Sequence, residues 1–215
     1  MSPASGDFTP FGYLRNPAHF ASSWRETSGG NLRTAFDRLG VEWAYPVGRD
    51  PTTRIGLGLE TVVDGRPCRA RADFDAIGLT SRYHSCLIFG FDWQIDGVQV
   101  EARFFLANGD ALCARLRVVN HARGTRRVQI EVCAWTNADS VPRPSTDEPW
   151  LLSATPSAHL VVCQRGEGGV NAEMAPGTVL RHVSVLARGL DRDAALAAGS
   201  SALGQAETCF ERLLA

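Results

Sequence analysis

Apolar residues alternate with polar residues or glycine through most of the middle of the chain, the period-two signature of strands with one buried face. The first such run is Ile55-Gly56-Leu57-Gly58-Leu59-Glu60-Thr61, and Asp64-Gly65 after it marks a tight turn. Alternation returns from Cys68 to Phe74, with Ala70, Ala72 and Phe74 opposite Arg69, Arg71 and Asp73. Ser85 to Phe91 is a short apolar run that continues through Trp93 and Ile95. The strongest hairpin signal follows: Asp96-Gly97 between two alternating runs, since both turn positions want positive φ. Val98, Val100, Ala102, Phe104 and Leu106 then share one face, and Gln99, Glu101 and Arg103 the other.

Asn108-Gly109 predicts the next turn. Beyond it Leu112, Ala114, Leu116 and Val118 alternate with Arg115 and Arg117. His121 to Gly124 turns the chain again, and Val128, Ile130, Val132 and Ala134 alternate with Gln129, Glu131 and Cys133. Short turns between three such strands predict an antiparallel meander with one wet face. Residues Asn137 to Pro149, rich in proline, Asp and Ser, read as a surface loop. Strands are expected again at Trp150–Leu152, His159–Gln164 and His182–Ala187. Gly166 to Gly169 reads as a turn, without the strand-then-helix setting of a phosphate loop.

The two ends differ from this middle. The first fifty residues mix Gly, Pro, Asn and Ser with Phe8, Phe11, Tyr13, Phe20, Trp24, Phe36, Trp43 and Tyr45. So many rings are costly to leave in water, so the segment is expected to wrap over the sandwich or a partner, with short strands. After Asp191, a plausible N-cap, the period becomes helical, and Leu196, Leu203 and Phe210 recur every seven residues with Ala206, Leu213 and Leu214 nearby. A helix ending on apolar residues has either docked them on its own sandwich or lost a neighbour. The predicted fold is mostly β: a two-sheet antiparallel β-sandwich over residues 1–190, with an irregular aromatic-rich N-terminal segment, then a linker-like C-terminal α-helix over 191–215.

Composition narrows the partners. Net charge is −1 over 215 residues, which favours neither nucleic acid nor an anionic membrane. All 22 basic residues are arginine, as a GC-rich coding bias produces. The six cysteines show no CxxC pair or Cys/His metal spacing, and the opening Met-Ser-Pro-Ala-Ser-Gly-Asp lacks an export signal. Reduced thiols in a cytoplasmic protein, with no metal and no cofactor, are the expectation.

Gly12-Tyr13-Leu14-Arg15-Asn16-Pro17-Ala18-His19, then Trp24 and Ser28-Gly29-Gly30-Asn31-Leu32-Arg33, resembles the opening of bacterial glycoside hydrolases with an (α/α)6-barrel catalytic domain. Glucosidase-like, trehalase-like and glycogen-debranching-like proteins are among them. Arg103-Phe104-Phe105 through Leu112 to Arg117-Val118-Val119-Asn120-His121 is also similar to the strand, turn and strand-to-Asn pattern of their N-terminal β-supersandwich. Arg15 departs from the pattern, which usually has an acid there. The resemblance implies a non-catalytic sandwich that supports a helical barrel, in cis or in trans, with a linker helix at the end and an oligosaccharide as a possible ligand. The catalytic acid and base of that family lie in the barrel, so it assigns no catalytic residue here. The residues it implies to face substrate or partner are Tyr13, Asn16, His19 and Arg33, joined by Trp24 and Trp43 from the aromatic segment.

Other chemistry is thinly signalled. Glycoside hydrolysis needs two carboxyl groups facing each other across a sugar bond. Asp73 and Asp75 would share a strand face but read as a solvated strand end, and Glu101 reads as half of a cross-strand ion pair. Glu26 and Asp37 are the acids to watch in the aromatic segment. His84, His121, His159 and His182 are placed at strand edges or turns, without a nearby nucleophile. Trp93 and Trp135 belong to strands and read as core, while Trp24 and Trp43 could line a groove or join the segment to a partner. Two other classes stay open: a freestanding carbohydrate-binding module and a compact enzyme using Glu26, Asp37 and Asp75.

Overall fold

The computed structural model describes residues 25–27, 30–35, 39–44, 54–68, 73, 80–84, 88–108, 110–136, 139–144, 148–155, 158–166 and 171–214. They build a β-sandwich of two antiparallel sheets with a long helix on one outer face. The first sheet runs β1 (Arg25–Thr27), β2 (Gly30–Thr34), β3 (Gly40–Ala44), β4 (Arg54–Val63), β10 (Arg126–Thr136) and β11 (Asp139–Pro144). In it β5 (Arg66–Cys68) pairs with β4, and β14 (Asn171–Met174) with β10. The second runs β12 (Trp150–Thr155), β13 (Ala158–Gly166), β15 (Val179–Gly189), β9 (Ala111–Asn120), β8 (Val98–Asn108), β7 (Ile88–Ile95) and β6 (Thr80–His84).

The two Asp-Gly turns form as their chemistry demands. Asp64 and Gly65 have φ of 47° and 82°, Asp96 and Gly97 of 47° and 84°, the pair of positive angles that a two-residue hairpin needs. Asp64 does more than turn the chain. Its Oδ1 accepts from the Arg127 N–H and its Oδ2 from the Arg126 guanidinium, both at 2.9 Å. These bonds, the backbone one first, hold its carboxyl below the usual range.

Inward alternation fills the space between the sheets. Leu57, Leu59 and Val63 of β4 and Val128, Ile130 and Val132 of β10 face Val100, Ala102 and Phe104 of β8 and Leu112, Leu116 and Val118 of β9. The predicted three-strand meander is corrected here. β8 and β9 pair as expected, but β10 joins β4 in the opposite sheet, with Val128 beside Val63 and Thr136 beside Ile55. Asn120 manages the crossing. Fully buried, it donates from Nδ2 to the carbonyls of Met174 (2.8 Å) and Gly124 (2.9 Å) and accepts on Oδ1 from the Ala122 N–H (2.9 Å). The place beside β9 is taken instead by β15, paired from Val179–Val119 to Ala187–Ala111.

Of the aromatic segment, the described residues form the expected short strands, β1 to β3, at the edge of the first sheet, and residues 1–24 lie outside the described residues. Two other expectations change. The Asn137–Pro149 loop contains β11, an edge strand among the described residues, a position that tolerates Pro142 and Pro144. The strand expected from Cys68 to Phe74 ends at Cys68 among the described residues, and Asp73 is helical and half-buried. β6 and β14 were not foreseen.

The helix, α1 (Arg192–Leu214), starts where Asp191 caps it, the Ala194 N–H donating to Asp191 Oδ1 at 2.7 Å. Its apolar face docks on the outer face of the second sheet, with Leu213 and Leu214 partly buried at its end. The buried line of contact is Ala195, Gly199, Ala202, Ala206, Cys209 and Phe210, which shares Ala206 and Phe210 with the predicted face but centres on smaller residues than its leucines. Leu196 and Leu203 are half-buried at its margin. A helix can approach a sheet closely only over small residues: a Cβ on Gly199 would stand 2.6 Å from Cys163 Sγ. Arg115 fastens the far end, its Nε donating to both oxygens of Glu207 at 2.8 Å and its guanidinium lying 4.8 Å from the centre of the Phe210 ring.

Candidate functional site

The predicted ligand- or partner-facing residues do not assemble into a site among the described residues. Tyr13, Asn16, His19 and Trp24 lie outside them. Arg33 is in β2, in register with Glu42 of β3. Trp43 is corrected: it is fully buried in the core between the sheets and presents no ring face to a sugar or a partner. Trp93 and Trp135 are buried, as their strand positions required, at 3% and 5% exposure. Glu26 lies in β1, opposite Asn31 of β2, whereas Asp37 and Asp75 fall outside the described residues.

Carboxylates and arginines do gather on the outer face of the second sheet, beside the helix. Asp92 stands in register with Glu101, and Glu101 with Arg117. Arg103 donates to Asp92 Oδ1 at 2.8 Å and to the carbonyls of Phe91 and Ala102. Arg117 donates to Glu101 Oε1 at 3.1 Å, the cross-strand pair expected from the alternation. Gln99 bridges Glu101 and His121, at 3.1 and 3.0 Å. Two neighbouring carboxylates, each engaged by its own guanidinium, form an ion-pair ladder rather than an opposed acid and base.

A cleft of about 230 Å³ opens where the first turns of α1 meet the β8–β9 connection, lined by Asp110, Arg188, Gly189, Leu190, Ala194 and Ala198. Its charges face each other, Arg188 Nη1 lying 3.6 Å from Asp110 Oδ1. It is smaller than the usual 300–1,000 Å³ of small-molecule sites.

A nucleophile-and-base pair occurs where the sequence reading did not place one. His182 lies inside β15, not at a strand edge, and its Nε2 shares a 2.8 Å hydrogen bond with Ser184 Oγ. The signal was His-x-Ser in an apolar run, which puts both side chains on one strand face. Both are sealed between the sheets, at 2% and 0% exposure, and burial pushes the imidazole down to about 4. Such a pair has the geometry of an activated serine. It lacks the access to substrate that hydrolysis requires.

The cysteines among the described residues are equally enclosed. Cys68, Cys113, Cys133, Cys163 and Cys209 are free and buried, and burial lifts the Cys68 thiol to about 12, with the Asp73 and Glu60 charges adding to it. Among the described residues no group of His, Cys, Asp and Glu is placed to hold a metal ion, and no helix is long and apolar enough to cross a membrane. No protein-family model matches this sequence, and no curated protein is significantly similar to it.

Proposed function

We propose that this chain is the accessory β-sandwich of a carbohydrate-active enzyme of the glycoside hydrolase type, buttressing a helical catalytic barrel and shaping one side of its substrate cleft. The observation that carries the reading is the order of parts. Two large antiparallel sheets are followed directly by a 23-residue helix anchored on the second sheet. That is the order implied by the resemblance of the Gly12–His19 run. A scaffolding role is supported by the charged groups of the second sheet's outer face, where Arg103, Arg115 and Arg117 are engaged by Asp92, Glu207 and Glu101. A sugar-stacking platform is less favoured, since Trp43, Trp93 and Trp135 are all buried.

Sequencing the gene beyond codon 215, together with its immediate neighbours, tests the proposal. The expected result is a coding region for an (α/α)6-barrel, in frame or as a separate product that copurifies with this chain on coexpression. The absence of a barrel from both places, combined with measurable heat on titrating the isolated chain with α- or β-glucans, would replace it with a freestanding binding module.

A further inference from the structure

We infer that the sandwich holds an internal water-binding site on the inner face of the second sheet, built from Gln164 and Ser184. Gln164 is 2% exposed, and neither its amide nitrogen nor its amide oxygen has a hydrogen-bond partner. An amide carries two donor hydrogens and two acceptor lone pairs. Left dry in an apolar core, it is among the least favourable groups a protein can bury. Exchanging its oxygen and nitrogen changes nothing, because both positions are partnerless.

The surroundings point to water as the missing partner. Gln164 is in register with Ser184, so the two side chains stand next to each other on adjacent strands. Ser184 already shares one bond with His182, and a hydroxyl has further capacity. Ala114 flanks Ser184 on its other side, and Gly166 stands opposite His182, whose ring covers it, with Nδ1 2.8 Å from where a Gly166 Cβ would lie. Full burial excludes any large occupant, and a partner that must both donate to and accept from this amide is met by water. Globular proteins hold about one buried water per 27 residues, typically at otherwise unsatisfied polar groups. His182, Ser184 and Gln164 then form one hydrated polar island within the core.

A high-resolution crystal structure of the unaltered protein tests this directly. The expected result is an ordered water at about 2.7–3.2 Å from the Gln164 amide and Ser184 Oγ. Direct bonding of both Gln164 amide atoms to protein groups, or an empty site, would overturn it. In solution, water relaxation dispersion should lose the contribution of at least one long-lived water in Gln164→Met, a variant of similar shape without polar atoms. Ser184→Ala should lower the same signal. Dispersion unchanged in a folded variant would overturn the inference, and the crystal structure decides it even if the variants do not fold.

Discussion

Trp135 fits its place because two residues opposite it lack side chains. It is in register with Gly56, and a Cβ at Gly56 would lie 1.9 Å from the indole ring, while one at Gly58 would lie 3.3 Å from it. The alternation of glycine with Ile55, Leu57 and Leu59 thus makes a trough on the outer face of β4. Gly56→Ala is expected to destabilise the fold by about 1–3 kcal/mol, through overpacking, as a lower urea midpoint at unchanged slope. The glycines were legible as half of a strand pattern, but the ring they accommodate lies 79 positions away in the chain. His182 carries a second prediction at this scale. Its imidazole titrates near 6.5 when free and about 4 when buried, because burial disfavours the charged form. Between those values the unfolded chain binds the proton and the folded one does not. Stability therefore falls as pH drops from about 6.5 to about 4, by up to ~3 kcal/mol, and the contribution is flat outside that window. Denaturation midpoints across pH should show a shallower slope in His182→Gln.

At the scale of elements, the helix and its cap were readable and its contact line only in part. Asp191 was identifiable as a cap because a carboxylate before a helical period can accept from the orphan N–H groups of the first turn. Asp191→Ala should cost about 1 kcal/mol, read as a lowered thermal midpoint with the sandwich signal retained. Phe210 and Ala206 are buried as the spacing expected, but Leu196 and Leu203 sit at the margin, and the sheet selected Ala195, Gly199 and Ala202 in their place. Hydropathy ranks leucine above alanine, but close packing on a sheet rewards the residue that lets backbones approach. Removing residues 192–215 should uncover Ile88, Phe105, Val183 and Val185, now buried beneath the helix. Increased fluorescence of a hydrophobic dye and self-association in the ultracentrifuge are the expected readouts. Hairpins were legible for a related local reason: Asp-Gly supplies two positive-φ positions whatever surrounds it.

For the whole molecule, the chain moves between the sheets several times: β1–β5 in the first, β6–β9 in the second, β10 and β11 back in the first, then β12 and β13, β14 and β15 alternating. The pairings β4–β10 and β9–β15 close large loops before either sheet is complete. Folding dominated by such non-local contacts is expected to take milliseconds to seconds or longer, and stopped-flow refolding followed by tryptophan fluorescence checks it. The interior site at Gln164 and Ser184 belongs to this scale too, since it exists only when β13 and β15 lie side by side. By itself the sequence determined which residues turn inward in the central strands β4, β8, β9 and β10, where the two Asp-Gly turns fall, and that a capped helix follows the last strand, because periodicity, positive φ and capping are local properties. Only the tertiary structure decided that β10 crosses to the other sheet, that Trp43 is core, that small residues seat the helix, and that His182 meets Ser184 in the interior. Alternation is the same for a strand in either sheet of a sandwich, so it specifies a buried face but not the partner that buries it.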